Sequence, residues 1–267
     1  MADQAPKHMI ATSLLLATIL AQSTPAQGPR EPFEQKIPNT LVSFKMLPVP
    51  DGEITFDEGK KLAIKNLYMA ETETLWEVYD VWYLAQELSE HDREERTDGT
   101  SRPSRPYGDV TRGFGHTGFP AIGMTHHAAT EFCKWLTKQT GRIYRLPHEY
   151  EWQYVAQAGS ENPPEALDEV AWFAGNVRRG TRAAKQKKPN AWGFYDMLGN
   201  ASEWTIGAEG EEMTRGGSWR DPLEAISFAA RVPYSPRWQE RDAQIPKSRW
   251  WLSDGPFVGF RVVAEGK

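Results

Sequence analysis

The chain has 267 residues, with 31 Lys and Arg against 36 Asp and Glu, and its formal net charge is −5. Such a mildly acidic protein is not a general nucleic-acid binder, because it lacks the positive field that attracts phosphates. Its single cysteine, Cys133, excludes a disulfide within the chain. The length suits one large domain, and the 11 Trp and 19 Pro are typical of a loop-rich fold held by aromatic packing.

The amino terminus carries an uncharged apolar run, residues 9–21, followed by small residues. The run is shorter than the roughly 20 residues that a membrane-spanning helix needs. This pattern predicts a secretory signal peptide over residues 1–26, cleaved after Ser23 or Ala26, with an uncleaved anchor or a buried helix as the alternative. The mature protein is then expected to be periplasmic or secreted, without a transmembrane anchor.

Residues 27–40, rich in Pro and Gln, are interpreted as a flexible leader, and the folded domain is predicted over residues 41–264. Alternating apolar residues predict β-strands at residues 41–47, 54–56 and 62–67. The sequence therefore predicts a β-rich entry into the domain.

Three helices are predicted next. The first follows a capping box from Thr74 to Glu77, the second begins at Thr125 and ends at Gly141, and the third has Pro147 in its first turn and ends at Gly159. Apolar residues at helical spacing predict the buried faces of the first two helices: Leu75, Val78, Tyr79, Trp82, Ala85, Ala128, Ala129, Phe132, Cys133 and Leu136. Cys133 is thus interpreted as an inert core thiol. Between the first two helices, residues 90–118 form a charge-rich stretch, predicted to be a solvated insertion or, alternatively, a partner-binding arm.

The stretch from Gly193 to Trp204 places three oxygen-bearing side chains, Asp196, Asn200 and Glu203, around a glycine. Hard cations such as calcium prefer several oxygen ligands from a flexible loop. Asp, Asn and Gly also build ordinary turns, so the spacing alone leaves both interpretations open.

Four blocks in this order resemble the formylglycine-generating enzyme family, also called sulfatase-modifying factors. The blocks are Arg145-Leu-Pro-His-Glu-Tyr-Glu-Trp152, Gly193–Trp204, Arg215-Gly-Gly-Ser-Trp219 and Gly259-Phe-Arg261. The resemblance implies an α+β, C-type-lectin-like fold with little regular secondary structure. It also implies a structural calcium held by Asp196, Glu203 and the backbone carbonyls of Gly199 and Ala201. With the resemblance included, the calcium interpretation is favoured over the ordinary turn.

A second calcium site of the family would begin at Asn176 and Val177, but no acidic residue follows before Asp196, which puts this site in doubt. Six basic residues lie between Arg178 and Lys188 instead. This basic loop is interpreted as a solvated loop or as a surface for an anionic partner such as a sulfated glycan.

Formylglycine-generating members carry two cysteines after the RGGSW block, and these bind the copper that activates oxygen. The corresponding positions here are Asp221 and Ile226. A carboxylate and an aliphatic side chain cannot replace soft thiolates for Cu(I). Oxidation of a sulfatase cysteine by the copper route is therefore not expected, and any other redox metal is left unspecified.

His116, His126 and His127, with Glu131, suggest a metal site, but adjacent helical histidines point about 100° apart. Surface or capping histidines are the favoured interpretation. A ligand cleft is predicted near the RGGSW block and the loop that follows it, at Trp219, Asp221, Arg231, Trp238, Arg249 and Trp250, although the aromatics among them could equally pin long loops.

Three functions are weighed on these grounds. The favoured one is a calcium-stabilised module that binds a peptide, protein or glycan in the cell envelope. The alternative is an oxidoreductase of the same family with a metal centre that does not use cysteine. A copper-dependent formylglycine generator is the least favoured. Neither the oligomeric state nor the identity of the ligand follows from the sequence.

Overall fold

A computed structural model describes residues 30–266 except 58, 96–98 and 106–107. The predicted signal peptide and the start of the predicted leader lie outside the described residues. No helix in the described part of the chain has both the length and the apolar character to cross a membrane.

Short strands make up three sheets in this part of the chain. Their bounds are β1 Phe33–Lys36, β2 Ser43–Pro48, β3 Gly52–Phe56, β4 Lys60–Ile64, β5 Leu67–Ala70, β6 Tyr144–Arg145, β7 Ser202–Ile206, β8 Glu212–Arg215, β9 Arg231–Pro233, β10 Val258–Phe260 and β11 Val263–Glu265. The five-stranded sheet has the order β1-β2-β5-β11-β6, the four-stranded sheet has the order β10-β7-β8-β9, and β3 pairs with β4. All of these pairings are antiparallel except that of β10 with β7.

The α-helices are α1 Trp76–Tyr83, α2 Glu90–Glu95, α3 His126–Thr140 and α4 Glu149–Gln157. Helix α3 confirms both predicted ends, since the Thr125 side chain accepts a hydrogen bond from the Ala128 N–H and Gly141 adopts a left-handed φ of 68°. Cys133 is 2% exposed, and burial raises the pKa of its thiol far above the ordinary range. The prediction of an inert core thiol therefore agrees with its surroundings.

The larger of the hydrophobic clusters is rich in aromatic side chains, as the composition predicted. Tyr79 of α1 lies at its centre and is fully buried. Six aromatic rings lie within 6.4 Å of the Tyr79 ring, mostly edge to face: Trp76, Trp82, Tyr83, Phe132, Trp251 and Phe260. Aromatic packing of this kind compensates for the small amount of regular secondary structure.

Four local predictions differ from the structure. Pro147 precedes the cap residue His148 of α4 and does not lie in the first turn of that helix. Residues 33–36 of the predicted leader form the edge strand β1, whose Phe33 ring packs on Tyr68 at 5.1 Å. The single strand predicted over residues 62–67 is two strands, because Asn66 turns the chain with φ 51°. The predicted capping box is also wrong: α1 begins after Leu75 without a side-chain cap, and the Glu77 carboxylate accepts the Gly118 N–H instead.

Candidate functional site

The turn that precedes β7 is the centre of the candidate site. Asp196, Gly199 and Asn200 all have left-handed φ values, of 55°, 72° and 51°. Gly199 cannot be replaced without strain, because a Cβ at this position would lie 2.2 Å from the Trp172 carbonyl oxygen. The turn therefore packs directly against the backbone of the segment around Trp172.

Glu203, the predicted carboxylate ligand, is the buried partner of an arginine. Arg261 donates from Nε and Nη2 to the Glu203 carboxylate at 2.8–3.1 Å, and Trp152 Nε1 donates at 2.8 Å. The side chains of Glu203 and Arg261 are 1% and 0% exposed. Both carboxylate oxygens thus have hydrogen-bond donors without a metal ion.

The other two polar side chains of the turn hold the basic loop, residues 178–188. Asp196 Oδ2 accepts the Lys185 N–H at 2.9 Å, and Asn200 Oδ1 accepts the Arg182 N–H at 2.8 Å. The Asn200 amide nitrogen donates to the Arg182 carbonyl oxygen and to Glu73 Oε1. The turn and the basic loop therefore form one structural unit.

Two carboxylate oxygens in this cluster have no hydrogen-bond partner: Asp196 Oδ1 and Glu73 Oε2. Burial, the dominant cause, raises the pKa of Asp196 to about 6. Burial also raises the pKa of Glu73 well above its ordinary value, and the Asp196 charge raises it further. With Glu203, these groups make three carboxylates against one guanidinium, a surplus of two negative charges when all are ionised.

The calcium ligands implied by the resemblance fit this cluster only in part. Asp196 retains an unpartnered oxygen and the charge surplus suits a divalent cation, whereas Glu203 is already neutralised by Arg261. No three His, Cys, Asp or Glu side chains among the described residues are grouped so as to hold a metal ion. At the doubtful second site, the Asn176 side chain bonds the Phe173 N–H, the Ala171 carbonyl and Asp168, and Val177 is 6% exposed.

At the two positions that carry cysteine in copper-binding members, the side chains make structural contacts within the fold. Asp221 accepts a hydrogen bond from Ser218 Oγ at 2.7 Å, and its backbone carbonyl accepts the Ala174 N–H. Ile226 is 3% exposed and belongs to a hydrophobic cluster with Phe228 and Trp152. No soft donor atom is present at either position.

The three histidines are not brought together by the contacts that they make. His116 Nε2 lies 2.8 Å from Asp80 Oδ2, and His127 Nε2 accepts from the Arg249 guanidinium. His126 is packed edge to face on Trp204, and burial lowers its pKa to about 4. His126 Nδ1 also lies 3.8 Å from Glu212 Oε1, so each histidine has its own, separate polar neighbour.

The predicted cleft residues lie in separate environments. Trp238 and Trp250 are 7% and 3% exposed, and Trp250 Nε1 donates to the Gly99 carbonyl oxygen, so in this structure both rings pin loops. Arg231 is bound by Glu149 at 2.7 Å. Asp221 is one of the two copper-ligand positions, and Trp219, two residues before it, is half-buried.

The neighbouring insertion is also pinned rather than simply solvated. Trp251 Nε1 donates to the Ser104 carbonyl oxygen, and Arg102 bonds both Glu87 and the Trp82 carbonyl. Trp250 and Trp251 thus hold the backbone of Gly99 and Ser104, in the first part of the segment between α2 and α3.

The buried polar cluster consists of Glu73, Trp152, Asp196, Asn200, Glu203 and Arg261. Three of these residues were missed in the sequence analysis. Trp152 and Arg261 stood inside the recognised blocks but were given no role there. Glu73 was overlooked because it adjoins the supposed capping box. A charged Arg within the apolar Gly259–Val263 segment is a signal that could have been used, since a buried guanidinium requires a buried carboxylate.

Comparison with known proteins agrees with this architecture. Residues 38–265 match the model of the sulfatase-modifying factor enzyme 1-like domain, so the chain belongs to this family. It is 28% identical to the formylglycine-generating enzyme of Bos taurus over 104 residues, which are 32% of this chain and 26% of that protein. It is 26% identical to the inactive C-alpha-formylglycine-generating enzyme 2 of Bos taurus over 136 residues, 43% of each chain.

The chain is also 35% identical to the chaperone protein LppX of Paenibacillus barcinonensis over 104 residues, 29% of this chain and 36% of that protein. The matched segments thus span less than half of the length of these curated relatives. Among solved structures, variable protein 1 of Treponema denticola has a TM-score of 0.63 at 18% identity, covering 89% of this chain and all of that one. PvdO of Pseudomonas aeruginosa has a TM-score of 0.58 at 22% identity, covering 86% and 100%. The predicted family and α+β fold are therefore confirmed.

Proposed function

We propose that this chain is an exported, non-catalytic member of its family that binds a peptide or glycan ligand. The proposal rests on the side chains found at the two positions where copper-binding members carry cysteine. Asp221 is engaged by Ser218, and Ile226 is packed in the core. Copper-dependent activation of oxygen needs two thiolates there, and neither side chain provides one.

The chain offers no substitute thiolate elsewhere. Its one cysteine, Cys133, is buried in α3, and a thiol whose pKa is strongly raised is a poor metal ligand. An inactive relative among the similar proteins supports the same interpretation.

Mass spectrometry of a peptide substrate tests the proposal. The peptide carries the sulfatase motif Cys-x-Pro-x-Arg, whose cysteine a formylglycine-generating enzyme oxidises. Incubated with this protein, copper, oxygen and a thiol reductant, it is expected to keep its cysteine. A formylglycine-generating enzyme serves as the positive control under the same conditions. Catalytic conversion of the peptide by this chain would contradict the proposal.

We further propose that a calcium ion stabilises the polar cluster through Asp196 Oδ1 and Glu73 Oε2. Two buried carboxylate oxygens without donors are costly when the groups are ionised, and a hard divalent cation would neutralise that charge. The expected result is a rise in melting temperature with calcium and a fall with EGTA. The variants Asp196→Asn and Glu73→Gln should lose this dependence, and the exposed Glu209→Gln should keep it.

Elemental analysis of chelator-free protein is the companion measurement. Calcium at about one equivalent, without copper or iron, is the expected composition. No calcium in the protein and no calcium-dependent shift would contradict the metal proposal and leave the non-catalytic one standing.

The exported location rests on the apolar run at residues 9–21 and the small residues after it. Amino-terminal sequencing of protein recovered from the periplasm or the medium is expected to begin just after Ser23 or Ala26. Recovery of the intact amino terminus from the cytoplasm would contradict this location.

A further inference from the structure

The lysines and arginines of the basic loop have different roles. Lys185 pairs with Glu71, Lys188 pairs with Glu169 at 2.7 Å, and Lys187 donates to the Asp168 carbonyl oxygen. By contrast, the guanidinium groups of three arginines make no hydrogen bond or ion pair with any described residue: Arg178, Arg179 and Arg182. The lysines bind this loop to the protein, and the arginines are left for another partner.

Two of these arginines lie over aromatic rings. The Arg182 guanidinium carbon is 6.0 Å from the centre of the Trp172 ring, and that of Arg179 is 5.7 Å from the Phe114 ring. Phe114 in turn packs edge to face on Trp219 at 5.5 Å. The three rings are each only partly buried. Arg179, Phe114 and Trp219 therefore form a row that leads to the RGGSW block, and Arg182 of the same loop forms a second pair with Trp172.

Arg220 extends this row past Trp219. Its guanidinium carbon lies 3.1 Å from the centre of the Phe257 ring, and no described carboxylate is bonded to it. Asp221 follows directly, with its carboxylate occupied by Ser218. We name the whole feature the arginine–aromatic surface and define it by these residues: Phe114, Trp172, Arg179, Arg182, Trp219 and Arg220.

The surface is held in place before any ligand arrives. The Arg182 backbone is bonded at both its N–H and its carbonyl oxygen by Asn200. Gly180, at φ 79°, lies so close to Phe114 that a Cβ would come within 2.4 Å of the ring. Ordering a loop on binding costs affinity, so a loop fixed in advance favours a binding role.

We propose that the arginine–aromatic surface binds an anionic glycan that carries sulfate or carboxylate groups. The planar guanidinium fork matches such oxyanions in a bidentate manner, which the ammonium of lysine does not. Lys187 Nζ lies 3.9 Å from the centre of the Trp172 ring, so the partly exposed rings of Phe114 and Trp219 offer the apolar face for sugar rings. A surface for acidic side chains alone would not require such a face. This inference rests on the proposed non-catalytic binding function and names its ligand class.

Titration calorimetry with a heparin oligosaccharide on the full chain tests the proposal. The triple variant Arg179→Ala, Arg182→Ala and Arg220→Ala is expected to bind at least about tenfold more weakly in about 0.15 M salt. The control Lys188→Ala removes a positive charge from the same loop, but this lysine is already paired with Glu169. It is expected to bind like the wild type.

A second triple variant, with lysine at the same three positions, separates geometry from charge. Its net charge is unchanged, so a loss of at least about threefold indicates bidentate recognition. Equal binding by the lysine variant would overturn the arginine-specific part of the proposal. Melting temperatures of all the variants establish that they fold, and they should change little because Arg179 and Arg220 are exposed and Arg182 is only half-buried.

Two polyanions without sugar rings provide the remaining controls. Inorganic polyphosphate and poly-glutamate are expected to bind more weakly than heparin. Binding of either with equal affinity would show ion exchange or peptide recognition and would overturn the glycan assignment. Absence of heparin binding also overturns it. If the Cys-x-Pro-x-Arg peptide is not converted in the same preparation, the non-catalytic proposal stands independently.

Discussion

At the scale of single residues, the Glu203–Arg261 pair shows why a motif residue need not be a ligand. Removing one partner of a buried ion pair leaves the other charge unpaired and usually costs 3–5 kcal/mol, on the order of a whole domain's margin. Glu203→Gln is therefore expected to lower the free energy of unfolding by about 3 kcal/mol, with or without calcium. Chemical denaturation in EGTA measures this effect. A loss seen only with calcium would instead show that Glu203 acts mainly as a metal ligand.

His126 provides a second prediction at this scale. Burial lowers its pKa to about 4, below the value of roughly 6.5 expected in the unfolded chain. Between these values the unfolded state binds more protons at this position, so the contribution of His126 to stability is complete above about pH 6.5 and decreases as the pH falls towards 4. His126→Gln is expected to reduce this acid sensitivity by up to about 3 kcal/mol. Melting curves from pH 4 to pH 7 measure it, and an unchanged slope would contradict the assignment.

At the scale of elements, features set by residues close in sequence could be predicted, and features set by contacts between distant segments could not. The ends of α3 follow from Thr125 and Gly141, because both caps bond within the helix itself. The cap of α1 failed as a prediction because Glu77 bonds Gly118, which is distant in sequence. The polar cluster joins Glu73, Asp196 and Arg261 from three such distant segments. Resemblance identified the turn, but the pairing of Glu203 with Arg261 required the fold.

The basic loop offers a test at the scale of elements. Asn200 adopts a left-handed φ of 51°, a conformation that glycine also accepts, so Asn200→Gly removes the side chain with little backbone strain. The basic loop then loses the hydrogen bonds that the Asn200 side chain makes with the Arg182 backbone, and it is expected to open more often. Limited trypsin digestion should then cleave between Arg178 and Lys188 several-fold faster. Asn39→Gly, at another left-handed asparagine, is the control, and equal cleavage of both variants would contradict the docking role.

At the scale of the whole molecule, the fold includes a strand, β1, in a segment whose composition predicted a flexible leader. The leader looked flexible because it is rich in Pro and Gln, yet β1 is the edge strand of the five-stranded sheet. Gln35 accepts a hydrogen bond from the Tyr144 hydroxyl at 2.7 Å, and the Arg142 guanidinium lies 4.2 Å from the Phe33 ring centre. Ile37, just after the strand, is 1% exposed. The folded unit therefore begins before residue 41.

Two shortened chains test where the fold begins. A chain that starts at Glu31 is expected to melt like the full-length protein, because it keeps β1 and Ile37. A chain that starts at Pro38 loses both. The apolar surface that is then no longer buried lowers the free energy of unfolding by about 2–4 kcal/mol. For a domain of this size that corresponds to a melting temperature lower by roughly 5–10 °C. The loss also uncovers the edge of β2, so this shorter chain should associate at high concentration. Equal melting of the two chains in calorimetry would show that β1 adds nothing to stability and that the leader ends where composition placed it.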